Sequence, residues 1–428
     1  MKEQEEISNN EKKSLLSNFF SLSLLQLASY VLPLLTLPYL VNTLGKEVFG
    51  IVMFAQVVIV FFDTFIDFGF NLSATREISV NRGDKHKVTE IFSSVITIKL
   101  MLLLLCFFIL LVLISFIDSM KSEWELYILS FLPTIGNALF PVWYFQGMER
   151  MKFVAIVNIA SKVIFTLLIF ALVRKPDDYL IVPVITSLGS ITGALCSIYI
   201  LRKVFLQKYK KQSYQTIKFY VKEGYQFLLS RLSSVGYSNA NTFLVGVILQ
   251  PQFVTYYYLA DKAVNICLTL FNPVVQSIYP YLSKKFNFNF FFKLIALTVI
   301  CSFLIVSIIY LFSEKISLFL LKENIDVFIA CLQSLSILIP ISMIYVMFGA
   351  PLLLARGYKK EFNKSIIYGF VIHAVILIGL YCSYLLNWIE GGERVLLFFS
   401  LSLVLSKTIV LALRFYYIYK FKVYKRQA

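Results

Sequence analysis

Twelve mostly apolar stretches, each close to 20 residues or longer, follow one another through a chain of 428 residues with only short polar connections between them. A helix of about 20 apolar residues crosses the roughly 30 Å of bilayer hydrocarbon. Inside hydrocarbon every backbone N–H and C=O must be satisfied within the segment, so runs of this kind fold as transmembrane helices. Hydropathy and breaker residues place them near 17–44, 48–72, 91–117, 124–146, 153–173, 179–201, 225–249, 253–282, 290–313, 326–354, 364–386 and 394–416. The hydrophobic content of 59% and mean hydropathy of +0.77 exceed the about 45–50% apolar content of soluble domains. Lipid is therefore the solvent of most of the chain, and no soluble domain fits in the connections. The leading apolar run is too long for a signal peptide and no small-residue cleavage site follows it, so it reads as a retained first span. The expected class is an all-α, multi-pass integral membrane protein.

An even number of spans puts both termini on one side, and the basic residues decide which. The termini and the connections on their side (73–90, 147–152, 202–224, 283–293 and 355–364) hold 27 Lys and Arg, against 7 in the opposite connections. The positive-inside bias assigns the N and C termini to the cytoplasm. It also accounts for most of the net charge of +16. These cations are divided among many short loops with no basic domain, which argues against a nucleic-acid partner. The six cysteines lie singly in apolar runs without a C-x-x-C and read as small buried side chains, not as disulfides or metal ligands. No G-x-x-x-x-G-K-[ST] occurs, so ATP hydrolysis by this chain is not expected.

A shift of 205 residues superposes the first two spans on the seventh and eighth. Gln26, Ser29, Pro33 and Thr36 fall on Arg231, Ser234, Ser238 and Asn241, along one helical face. Gln56, Asp67 and Asn71 fall on Asp261, Asn272 and Gln276, a second stripe at helical spacing. The segment from Pro133 to Lys152 corresponds less tightly to that from Pro340 to Glu361. Six spans per half make the halves parallel repeats, whose interface is where transporters place a substrate site. The expected organisation is an N-terminal lobe over 1–201, a cytoplasmic connector with seven cations over 202–224, and a C-terminal lobe over 225–428.

Six basic residues fall within spans: Lys99, Lys162, Arg231, Lys262, Lys407 and Arg414. Arg414 is expected near a helix end, with its head group reaching the interface. The other five each cost about 2.5–3.5 kcal/mol near the bilayer centre and should face an aqueous cavity or a partner. Away from the span ends, the acidic residues that oppose them are Asp63, Asp67 and Asp261. Ion pairing that locks helices together is the simpler reading for the aspartates, and Asp63 and Asp67 share a face. The surplus of cations, however, makes an anion site. Arg supplies a planar fork of donors that fits phosphate, and Lys a compact charge. Lys162 shares a face with Asn158 and Thr166, suited to sugar hydroxyls or to a helix contact. His373 reads as a hydrogen-bonded packing residue before a proton carrier. Tyr256, Tyr257 and Tyr258 read as an aromatic belt, with a sugar-stacking platform as the sharper alternative.

Leu37-Pro38-Tyr39-Leu40, Leu44-Gly45, Phe49-Gly50, Asp67-Phe68-Gly69-Phe70 and Thr75-Arg76-Glu77-Ile78 together resemble the opening of Wzx-type O-antigen and capsule flippases. So do the run from Tyr257 to Lys262, Tyr279-Pro280-Tyr281-Leu282-Ser283 and Ala355-Arg356-Gly357. The resemblance covers nearly the whole chain and names a family better than a substrate. It implies the multidrug/oligosaccharidyl-lipid/polysaccharide (MOP) superfamily, with a MATE-like fold of two six-helix lobes around a cationic cavity in the bacterial inner (cytoplasmic) membrane. It further implies outward movement of an undecaprenyl-pyrophosphate-linked oligosaccharide by alternating access, with no cofactor and a proton or sodium gradient as the source of coupling. Expected substrate contacts are Arg231, Lys262, Lys162, Lys99 and Lys407, and Asp63, Asp67 and Asp261 are the expected coupling groups. Partners would be the lipid-linked substrate, membrane lipids and polysaccharide assembly proteins such as a Wzy-type polymerase. A drug exporter of the same fold would prefer an acidic cavity. A membrane glycosyltransferase or polymerase would need a larger outer loop, and an acyltransferase a catalytic histidine with an acidic partner. No catalytic residue is expected.

Overall fold

The computed structural model describes residues 32, 34–272, 274, 275, 278, 282 and 288–423. The expected first-span residues 17–31, Gln26, Ser29, Pro33 and Gln276, and all of Tyr279–Ser283 except Leu282 lie outside these. Among the described residues there is no strand. Nine helical segments among them are long and apolar enough to cross a membrane.

The elements are α1 (Leu34–Leu44), α2 (Lys46–Asp67), α3 (Phe70–Val80), α4 (Lys85–Phe116), α5 (Asp118–Ser122), α6 (Trp124–Leu139), α7 (Val142–Gly147) and α8 (Met151–Leu172). After a 3₁₀ turn at Pro176–Leu180 come α9 (Ile181–Lys203), α10 (Tyr214–Ile248) and α11 (Pro251–Thr269). The chain continues with α12 (Phe288–Leu321), α13 (Asp326–Ser336), α14 (Leu338–Met347), a π-helical turn at Phe348–Leu354, α15 (Lys359–Leu385) and α16 (Gly392–Lys420).

Several helices run past the apolar stretch that announces them. Hydropathy places a span at 91–117, yet α4 begins at Lys85, because the Asp84 carboxylate accepts from the backbone N–H groups of His86 and Lys87 at 2.9 and 3.0 Å and caps it. The Lys87 and His86 N–H bonds hold the Asp84 carboxyl below its usual range. In the same way α10 takes in 214–224 of the connector. With Lys218, Lys222, Glu223 and Arg231 along it, α10 stands outside the nine apolar segments, as do the short α1 and α11 with its Asp261-Lys262 pair.

The described residues divide into two compact units. One comprises residues up to Gly45 with Ala55–Val235, the other Lys46–Phe54 with Gly236 onward, so the division falls inside α2 and inside α10. In the first unit, Phe68 and Gly69 both adopt left-handed backbone (φ 51° and 78°), so the expected single span over 48–72 is two helices, α2 and α3. A side chain at residue 69 would meet Phe227 Cβ at 2.6 Å, so only glycine fits both this backbone and the packing against α10. Pro141 separates α6 from α7. Phe68, Phe70, Trp143, Tyr144 and Phe145 centre the core beneath these breaks. Arg82 donates to the Gly147 carbonyl at 2.6 Å and to Glu149 at 2.6 Å, and this pairing keeps the Glu149 carboxyl below its usual range.

In the second unit the core gathers Leu282, Phe291, Met347, Leu352 and Leu353. Arg414 corrects its sequence reading. It is 1% exposed, not at an interface, because α16 continues nearly two turns beyond it. It donates to Ser365 Oγ at 3.0 Å and to the Tyr345 carbonyl, and stacks 3.7 Å from the centroid of the Tyr345 ring. Gly349 in the π-helical turn leaves the space its guanidinium occupies. Tyr256 and Tyr257 likewise are buried, 7% and 1% exposed, so they form no interfacial belt; these turns of α11 pack into the unit.

Candidate functional site

Two adjoining cavities lie within the first unit. The larger, about 410 Å³, is lined by Asn71, Lys99, Asn137, Asn158, Ser161 and Lys162 together with Thr186, Gly189, Ser190 and Gly193. The smaller, about 270 Å³, is lined by Asp63, Thr64, Asp67, Asn71, Lys99, Asn137 and Arg231. Asn71, Lys99 and Asn137 face both.

The helices that make these walls approach closely because their contact residues are small. A Cβ at Gly136 on α6 would sit 2.6 Å from the Ser190 carbonyl oxygen on α9, so the two backbones touch there. Gly189 and Gly193, a G-x-x-x-G pair on α9, lie against Ser161 and Val157 of α8. Close backbone approach on one side leaves room for polar side chains on the other. The break between α2 and α3 brings Asn71 round to donate to Asp67 at 2.7 Å.

The charged groups are arranged unequally. Lys99, with 4% of its side chain exposed, pairs with Asp67 at 3.1 Å. Asp63 accepts from Asn137 at 3.1 Å and interacts electrostatically with Lys99. Lys162 lines the larger cavity with Asn158, as the four-residue spacing implied, whereas Thr166 is buried, 7% exposed. Arg231 is exposed and faces the smaller cavity. Three cations and two carboxylates thus line the two cavities, and Lys99 pairs with Asp67.

The remaining expected residues lie in the second unit. Asp261 accepts from Asn265 at 2.8 Å and interacts with both Lys262 and Lys407. Lys407 donates to Ser342 Oγ at 3.0 Å, and the Lys262 ammonium lies 5.7 Å from the centroid of the Tyr258 ring. His373 is 1% exposed and stacks on Tyr237 with ring centroids 4.9 Å apart. Its nitrogens find no hydrogen-bond partner among the described residues, so the expected hydrogen-bonded role is not what the structure shows.

The cavity residues Asn137, Ser161 and Ser190 escaped the sequence reading, which looked for charge. The G-x-x-x-G spacing at Gly189 and Gly193 is the signal that could have drawn attention to the α8–α9 wall.

The fold is shared with solved membrane proteins. An inward-facing multidrug resistance MATE family transporter of the MOP superfamily superposes with a TM-score of 0.72 at 14% identity, over 96% of this chain and all of that one. Lipid II flippase MurJ, in an inward closed conformation, superposes with 0.69 at 14% identity, over 93% and 86%. The chain is an all-helical, multi-pass membrane protein of this fold, with polar cavities sunk among apolar spans. The model of the polysaccharide biosynthesis protein family matches residues 15–286. A protein of Escherichia coli (strain K12) named "Putative O-antigen transporter" is 31% identical over 370 residues, 84% of this chain and 88% of that protein. This chain belongs to the polysaccharide biosynthesis protein family.

Proposed function

We propose that this chain flips an undecaprenyl-pyrophosphate-linked oligosaccharide, an O-antigen or capsule repeat unit, from the cytoplasmic to the periplasmic leaflet of the bacterial inner membrane by alternating access. The observation that carries this reading is Arg231, an exposed guanidinium facing a cavity whose other cation, Lys99, is already held by Asp67. A planar fork with its charge uncommitted to Asp67 suits the oxygens of a diphosphate. Lys162, Asn158, Ser161 and Ser190 then offer charge and hydrogen bonds to the first sugars. Within the second unit, Lys262 and Lys407 are further proposed substrate contacts, and Asp63, Asp67 and Asp261 couple release to proton or sodium entry. Twelve spans, cytoplasmic termini and a Wzy-type polymerase receiving the product complete the proposal.

A drug exporter of the same fold is the second reading, since two carboxylates also line the cavity. Alanine substitution separates the two. In a strain lacking its own flippase, Arg231→Ala and Lys162→Ala should each lower surface glycan about tenfold or more at normal expression, because each removes a charge-assisted contact of about 1.5–3 kcal/mol. Arg231→Lys should restore part of the loss if charge suffices. Full glycan display by both alanine variants would remove these residues from the site.

A further inference from the structure

The connector between α9 and α10 is built as a hook, with side chains alternately turned in and out. Phe205 packs in, its ring centroid 5.6, 5.8 and 5.9 Å from those of Tyr144, Phe145 and Phe153. Leu206 turns outward and is 72% exposed, on a left-handed backbone with φ 52°. Gln207 turns back in, 7% exposed, donating to Thr89 Oγ1 at 3.0 Å and accepting from Tyr144 Oη at 3.4 Å. The Lys210 N–H donates to Ser93 Oγ at 2.9 Å, and the Tyr209 and Thr97 hydroxyls are 2.9 Å apart. Thr89, Ser93 and Thr97 form one face of α4, so the connector lies along about 12 Å of that helix, at 1.5 Å per residue.

The outward side combines apolar and basic groups. Val204 is 59% exposed, and Arg202, Lys203, Lys208, Lys210 and Lys211 are all exposed beside Leu206 and Tyr209. Both flanking helices, α4 and α9, belong to segments apolar enough to cross the membrane, and the hook starts where α9 ends. Cations with short apolar projections at the end of a span match an anionic headgroup layer, with the apolar tips entering the acyl boundary. A bulky residue in left-handed conformation costs free energy that burial of Leu206 within the unit does not return, because it is exposed.

We propose that the hook at 202–211 is an anchor for anionic phospholipid of the cytoplasmic leaflet. It holds the start of α10, which carries Arg231, at a set depth. This inference does not rest on the flippase reading; it rests on a membrane-embedded chain whose 202–224 connector faces the cytoplasm, the orientation that the basic connections imply.

The test is retention of phosphatidylglycerol and phosphatidylcholine by the purified full chain in native mass spectrometry, with hydrogen exchange of the hook followed in vesicles of either composition. Wild-type protein should retain phosphatidylglycerol preferentially, and the hook should exchange more slowly when that lipid is present. Lys208→Gln/Lys210→Gln/Lys211→Gln should lose that preference roughly tenfold or more, since each surface cation contributes about 1 kcal/mol before screening. The corresponding triple Arg variant should keep it, which separates charge from folding. Leu206→Gly, which suits the backbone, should weaken exchange protection in the phosphatidylglycerol vesicles. Equal retention by wild type and the Gln variant, loss of preference in the Arg variant, equal protection in both vesicle types, or displacement of the lipid by inorganic phosphate would each overturn the proposal.

Discussion

A buried lysine and a nearby aspartate show what a single residue does here. Lys99 and Asp67 are drawn from α4 and α2, and each has little water around it. Removing one partner strands the other's charge in a low-dielectric setting, a penalty of about 3–5 kcal/mol, whereas replacing both by apolar groups is often neutral. Asp67→Leu should therefore lower the melting temperature of the purified protein strongly, and Asp67→Leu with Lys99→Met should recover most of it. A double variant as unstable as the single one would show that Lys99 is not stabilised mainly by Asp67. The sequence made Lys99 and Asp67 conspicuous because charge inside an apolar run is visible in one dimension. It could not show that Lys99 pairs with Asp67 while Arg231 stays exposed, since partner choice depends on which helices meet.

At the scale of elements, the helices were legible and their interruptions were not. Hydropathy averages over about 19 residues, so it reports an apolar run and passes over a break such as Phe68–Gly69. The break follows from packing, because Gly69 faces Phe227 on α10. Small residues set other contacts by the same logic. At Gly136, where α6 meets the backbone of α9, Gly136→Ala forces two helices apart and should destabilise the protein by about 1–3 kcal/mol. Thermal unfolding measures this, and an unchanged midpoint would mean that the wall yields without cost. The same variant should disturb glycan display more than an alanine at the exposed Gly83, where nothing lies within 4 Å.

On the scale of the whole molecule, orientation and energy coupling each give a measurable outcome. A green fluorescent protein fused after Ala428 should fluoresce in intact cells, and alkaline phosphatase at the same point should be inactive, if the basic connections face the cytoplasm. The reverse pattern would invert the topology and with it the direction of transport. In proteoliposomes, an imposed proton or sodium gradient should raise transport of lipid-linked oligosaccharide, and Asp63→Asn should abolish the response while leaving downhill movement. Indifference to both gradients would dispose of coupling through the aspartates.

The order of apolar runs and the excess of cations on alternate connections determined by themselves that this is a multi-pass, all-helical membrane protein, because the bilayer forbids unsatisfied backbone and the cost of moving charge across it is local to each segment. Which charges are compensated was decided only in three dimensions. So were the kink at Phe68–Gly69, the burial of Arg414 and the inward turn of Gln207. Each depends on residues far apart in the chain arriving at one place, and a one-dimensional pattern of hydropathy holds no record of such meetings.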